Sequence, residues 1–272
     1  MADARRIVRQ RLESLKRAGV TSVPKSRAKG KQATAGGASA ATSRSAAAPT
    51  ATARTAGSPP SKGPEPIVAR ESVAPGKPLK LDEKNAALSV LREQVRTCMR
   101  CPELCTTRTQ TVFGVGNPQS RLVFMGEAPG ADEDKQGEPF VGRAGQLLNK
   151  IIEACTLRRE DVYILNTLKC RPPDNRPPKP EESANCREYL DGQLAILRPE
   201  FICCLGATAA KAFFEDENLS IGRIRGKLIE HRGVQVMCTY HPAYLLRNPA
   251  AKRDVWEDMK VLMKAMGVKL PG

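Results

Sequence analysis

The sequence predicts an α/β domain, a three-layer sandwich around a mostly parallel four-stranded sheet, preceded by a disordered basic segment. Three observations predict it. Short apolar runs of strand length alternate with helical patterns from residue 81 onward. Three of the apolar runs end in loops rich in Gly, Pro, Asn or Asp. Residues 25–80, by contrast, are mostly Ala, Ser, Thr, Gly, Pro and scattered Lys/Arg, without an aromatic residue to build a core.

The elements follow in order. Leu88, Leu91 and Val95 recur at helical spacing, giving a helix that ends near Cys98. "RLVFM" is a buried strand, and "GRAGQLLNKIIEAC" opens on glycines before the helical pattern of Leu147, Leu148, Ile151 and Ile152. "DVYILN" is the second strand. "KPEESANCREYLDGQLAILRP" is a helix with acids in its first turn, where they complement the helix dipole. "FICCLG", "ATAAKAFF" and "VQVMCTY" read as strand, helix and strand, and "RDVWEDMKVLMKAM" closes as an amphipathic helix. Helices joining parallel strands cover both faces of the sheet, and ligands then bind beyond the carboxyl ends of the strands. The acidic Gly-rich loop after "RLVFM", "NTLKCRPPDNRPP" and "YHPAYLLR" should therefore meet on one edge.

Charge divides the chain. Residues 1–80 hold 16 Lys/Arg and 4 Asp/Glu, a net of +12, whereas residues 81–272 hold 28 and 25, a net of +3. A basic segment that cannot bury a core attracts polyanions, nucleic acid above all. Within it, "MADARRIVRQRLESLKRAGV" has the makings of a short amphipathic helix. Two domains are expected: a basic tether over 1–80 and a folded domain over 81–272. Apolar runs fall short of the roughly 20 residues of a membrane span. With no secretory signal visible, the chain reads as cytoplasmic, associated with the nucleoid, and monomeric.

Nine cysteines in an intracellular chain are not expected to pair. Cys98 and Cys101 form a C-x2-C, and Cys170 and Cys186 follow as a C-x15-C across a Pro-rich loop. Four such thiolates suit zinc or an iron–sulfur cluster, and the wide second pair tilts the reading toward the cluster. Cys105 is a rival fourth ligand. Cys155, Cys203, Cys204 and Cys238 lie in apolar runs and read as small buried hydrophobes.

Three motifs in one order, "GEAPGADEDKQGEPFVGRAGQLL", "LNTLKCRPPDNRPP" and "HPAYLLRNPAAKRDVWEDM", together with the C-x2-C before them, resemble the family 4 uracil-DNA glycosylases. The resemblance covers roughly residues 85–268. It implies a [4Fe–4S] cluster on Cys98, Cys101, Cys170 and Cys186, and hydrolysis of the bond between uracil and deoxyribose in single- or double-stranded DNA. The nucleotide must first be flipped out of the stack. Phe140 would stack on the base. Asn166, ending the second strand, would read uracil's N3–H and O4 with its amide. His241 would face O2 and stabilise the oxyanion. Gly126, Glu127 and Ala128 would bring backbone close to the base.

Ala128 stands where the better-known branch of the superfamily has a water-positioning aspartate, and Gly130 where that branch has a tyrosine against thymine. Water positioning then falls to Glu127 or Glu133, while Asp132, Asp134 and Glu138 solvate the loop or pair with Arg143. Leu245, Leu246 and Arg247 resemble a wedge entering the DNA stack, and Arg171, Arg176 and Lys179 are candidate phosphate contacts. His231 reads as a surface residue. A non-hydrolytic or crosslinking uracil-DNA binder of the same fold is the rival function. The crosslinking relative carries a histidine in a basic insertion after the second strand, and "NTLKCRPPDNRPPKPEES" has neither.

Overall fold

The computed structural model describes residues 79–270. The amphipathic pattern of the first 20 residues and the expected tether up to residue 78 lie outside them. Helix α1 (Leu81–Arg96) starts with Asp82 and Glu83 in its first turn, and α2 (Pro102–Thr107) follows the C-x2-C. Strand β1 (Val115–Gly116) precedes β2 (Leu122–Gly126), the short α3 (Ala131–Gln136) and α4 (Arg143–Ala154). Then come β3 (Tyr163–Asn166), α5 (Pro180–Leu197), β4 (Phe201–Leu205), α6 (Ala207–Phe214) and α7 (Ile221–Ile224). The hairpin β5 (Leu228–His231) and β6 (Val234–Thr239) leads to α8 (Pro242–Arg247) and α9 (Lys252–Met266).

The sheet has six strands in the order β1-β3-β2-β4-β6-β5. Its centre, β3-β2-β4-β6, is the expected parallel four. The two edges are antiparallel additions. β1 is a two-residue strand on β3, and β5 turns back from β6 through Arg232 and Gly233, both at positive φ as a tight hairpin turn requires.

Alternation along the strands builds two cores. Val123, Met125, Ile202, Cys204, Val236 and Cys238 face α1, α5 and α6, among Leu88, Leu190 and Phe213. Leu122, Phe124, Phe201, Cys203 and Met237 face α4 and α9, among Leu148, Ile152, Met259 and Met263. Cys155, Cys203, Cys204 and Cys238 are thus the buried small hydrophobes expected. Burial pushes the Cys155 thiol up to about 11 and those of Cys203 and Cys204 higher still, which keeps them protonated. His231 is not a plain surface residue. It ends β5 with its ring 5.3 Å from Phe213 and 4.9 Å from Phe214.

Candidate active site and thiolate centre

The carboxyl ends of β2, β3 and β6 bring the three loops to one edge. Gly126 and Asn166 are register partners at the ends of β2 and β3. Beyond them the pairing continues through Thr167 N–H to Gly126 O (2.9 Å) and Leu168 N–H to Glu127 O (3.0 Å). Asn166 is nearly fully buried, and its Oδ1 has no hydrogen-bond partner. A side chain on Gly126 would collide with Asn166 Oδ1 and the Phe140 ring, so glycine is required there.

Phe140 adopts φ 55°, a conformation that bulky residues rarely take. Three contacts hold it. Arg159 donates to Phe140 O (3.2 Å) and Pro139 O (2.6 Å), and Gly145 leaves room for the Phe140 carbonyl beneath. Strain of this kind persists only when the surroundings over-determine it, and it concentrates at binding sites. The held ring lies 5.5 Å from the imidazole of His241, tilted by 33°.

His241 caps α8, its Nδ1 accepting from Ala243 N–H at 3.1 Å. Burial, aided by the charge of Arg247, pushes its pKa down to about 4. At neutral pH the ring is therefore uncharged, and with Nδ1 an acceptor the proton resides on Nε2. The side chain is a neutral N–H donor beside Phe140. Gly206 follows β4 at φ 93°, and a Cβ there would meet the His241 Cβ at 3.0 Å, so a side chain at this position would crowd His241.

The acidic loop divides its labour. Glu133 Oε1 accepts from Val141 N–H and Gly142 N–H (2.9 Å each), and Oε2 accepts from Gly130 N–H (3.1 Å). Its carboxylate closes the loop on itself and fills the space next to Gly130, so both oxygens are engaged by backbone before any water arrives. Asp134 is buried and takes Thr109 N–H on both oxygens at 3.0 Å. It is a structural clamp, not a solvating residue. Arg143 lies exposed, and Arg159 is the cation that feels Glu138 and Glu133. Glu127 is the acid left over: half-buried, its pKa raised by burial, with the Thr208 hydroxyl as its side-chain partner. Thr208 had no signal in the sequence, because β4 and α6 carry no motif of their own. Ala128 is half-buried beside it.

Two expectations for DNA contact are corrected. Leu245 is 1% exposed and packed in the core with Met259, so it cannot enter a DNA stack. Leu246 is 44% exposed and Arg247 is exposed beside it, which leaves these two, with Tyr244, at the surface. Arg176 is not a free phosphate contact: it pairs with the buried Glu182 at 2.6 Å and with Glu103 at 3.0 Å, and Lys179 also pairs with Glu103. Arg171 remains on the loop, partly exposed, donating to Asn175 Oδ1 at 2.8 Å.

The second site is a cavity lined by Cys98, Cys101, Cys105, Cys170 and Cys186, with Leu104, Leu168 and Tyr189. Donors point at the sulfurs. Arg108 bonds Cys170 Sγ at 2.9 Å and Asn185 reaches Cys101 Sγ at 3.6 Å. Cys105 turns its own Sγ to Cys98 O at 3.4 Å. Burial raises the thiols of Cys101, Cys170 (to about 12) and Cys186, so they ionise only on binding a cation. Among the described residues no three Cys, His, Asp or Glu side chains converge on a single ion. The soft donor set and the aimed N–H groups fit an iron–sulfur cluster.

The comparisons agree with this geometry. A family model described as the uracil DNA glycosylase superfamily matches residues 113–260, which include β1 to β6, the pocket loops and most of α9. The chain belongs to the uracil DNA glycosylase superfamily. It is 47% identical over 176 residues to a type-4 uracil-DNA glycosylase of Thermotoga maritima, covering 64% of this chain and 91% of that one. It is 44% identical over 192 residues to the type-4 enzyme of Archaeoglobus fulgidus (68% and 96% covered), and 40% over 190 residues to that of Saccharolobus solfataricus (67% and 88%). No helix among the described residues is long and apolar enough to cross a membrane.

Proposed function

We propose that this chain is a uracil-DNA glycosylase of base excision repair. It hydrolyses the N-glycosidic bond of a flipped-out deoxyuridine, releases uracil and leaves an abasic site. The single observation that carries the reading is His241, a neutral N–H donor fixed by Ala243 N–H and set beside a strained, clamped Phe140.

Each step is assigned to a residue of the site. Phe140 stacks on the base. The amide of Asn166, whose buried Oδ1 has no hydrogen-bond partner, reads the N3–H and O4 edge, where cytosine presents the opposite pattern of donor and acceptor. As the glycosidic bond breaks, electrons collect on the uracil O2, and the Nε2–H of His241 donates to it. A neutral imidazole suits this task, since it keeps its proton and stabilises the anion without protonating it. Glu127, desolvated and tethered by Thr208, faces the opposite demand: its carboxylate supports the sugar cation and orients the attacking water. Glu133 shapes the loop that carries these groups. Leu246 fills the gap left by the flipped nucleotide, and Arg247 and Arg171 contact phosphates. Cys98, Cys101, Cys170 and Cys186 would hold a [4Fe–4S] cluster, whose role there would be structural, ordering the loop between the last two cysteines.

The test is incubation of the purified chain with a uracil-containing oligonucleotide, single- and double-stranded, followed by alkali. Cleavage at the uracil position is expected. Retention of the oligonucleotide without alkali-labile product supports the non-hydrolytic binder instead.

A further inference from the structure

Six large apolar side chains are exposed among the described residues. Four of them, Leu81, Val90, Met99 and Val261, stand apart along the chain, as single exposed apolar residues ordinarily do. Tyr244 (37% exposed) and Leu246 (44%) differ, because both lie on α8, the turn that His241 caps. Leu246 has a task in the glycosylase reading. Tyr244 has none.

The support behind Tyr244 runs deep into the fold. Its ring lies 5.0 Å from that of Tyr240, tilted by 38°, the separation of an interacting aromatic pair. The Arg225 guanidinium sits over the Tyr240 ring, 5.2 Å from its centroid. Arg225 is itself locked, donating to the Asp258 carboxylate at 2.9 and 3.2 Å and to the Asp254 carbonyl at 2.6 Å. Asp258 is wholly buried and also accepts from the Thr239 hydroxyl at 2.6 Å. One carboxylate thus fixes Thr239 directly and Tyr240 through Arg225, just before His241. Burying such a pair costs desolvation. Here it immobilises a row of rings that ends in solvent.

Exposed cations stand close by in the chain: Arg247 on the same helix, then Lys252 and Arg253 at the start of α9. A held aromatic ring open to water, with basic residues near it, is the composition of a stacking platform for unpaired bases. The ring takes any base by its π face, and the cations attract the phosphates.

We propose that Tyr244 is a nucleobase-stacking residue: it takes the base next to the flipped deoxyuridine, on a platform held by Tyr240 and Arg225. This rests on the glycosylase reading. Flipping strips the neighbouring base of one stacking partner, and the tyrosine ring replaces it. Tyr244 N–H bonds His241 O at 2.9 Å, so the platform and the oxyanion donor belong to one turn.

The experiment uses the full chain, purified anaerobically with its iron. It measures binding of a single-stranded oligonucleotide whose deoxyuridine is fluorinated on the sugar carbon beside the glycosidic bond, which then resists cleavage. In matched strands the base on one side of the uracil or the other is replaced by a tetrahydrofuran site. For the parental chain, removal on one of the two sides should weaken binding by about 10-fold. Tyr244→Ala should bind the intact strand about 10-fold less tightly and be indifferent to the missing base, since one contact cannot be lost twice. Tyr244→Phe should behave as the parental chain does. Should Tyr244→Ala lose iron or precipitate, Tyr244→Leu, which keeps an apolar contact with Tyr240, carries the same comparison. Parental affinity in Tyr244→Ala, or an equal cost of the missing base in both chains, would overturn the proposal. A parental chain that shows the expected binding pattern yet releases no uracil from unfluorinated DNA would sink the glycosylase reading alone.

Discussion

The base pocket and the thiol cavity lie a few residues apart along β3 and its loop, yet they are built in opposite ways. The pocket is finished by the chain itself. Arg159 holds Phe140, the Ala243 amide holds His241, Glu133 closes the loop, and the Gly126–Asn166 pairing sets the floor. The thiol cavity collects buried and half-buried sulfurs, with an arginine and an asparagine bonded to them. Its donors are complemented only when the sulfurs ionise on a metal. Side chains bonded to backbone can therefore pre-form a site for a neutral base. A site for charge stays incomplete until the charge arrives.

The largest effect should come from the second region. Cys170→Ala or Cys186→Ala should give colourless, poorly soluble protein without iron. Cys186 belongs to the core with Tyr189 and Leu190, and the loop between the two ligands has little core of its own. Metal analysis and visible absorbance check this; a brown, soluble variant would move Cys105 into the ligand set. A change confined to the pocket should leave the centre alone. Gly126→Ala drives a methyl into Asn166 and Phe140, so excision should fall on the order of 100-fold with iron content unchanged. Loss of iron in this variant would break the separation.

The smallest effect concerns pH. The folded His241 titrates at about 4, below the ordinary value of 6.5. As pH falls through about 6.5 the unfolded chain takes up the proton first, so stability declines between about 6.5 and 4, by roughly 2–3 kcal/mol. Denaturant unfolding of the parental chain and of His241→Asn across that range isolates the contribution. Well above pH 4 the folded imidazole should stay neutral with its proton on Nε2, which nitrogen NMR reads directly.

The parts written in local pattern were legible in the sequence. The four central strands alternate sides or run apolar, and the glycine, asparagine and histidine of the pocket stand at strand ends, where a parallel sheet puts its ligands. The β1 edge was not, because that strand is two residues long and owes its place to pairing with β3. Long-range engagement hid the rest. Glu133, Asp134 and Arg176 look like free charges in the sequence, and only the fold brings them the amides of Val141 and Thr109 and the carboxylate of Glu182. Leu245 and Leu246 are neighbours in a helical turn, so one faces Met259 and the other solvent, a difference that needs the position of α9. Lys169, inside "TLKC", gave no hint that it would be buried with its ammonium on the Asn166 carbonyl.

The most direct measurement is the single-turnover excision rate of His241→Ala on a uracil oligonucleotide, alongside its affinity for that DNA. A neutral donor aimed at the departing oxyanion acts in the transition state. The rate should therefore fall by about 10²–10³-fold, or about 2.7–4 kcal/mol, while affinity changes much less. Excision at the parental rate would remove His241 from the chemistry and contradict the account.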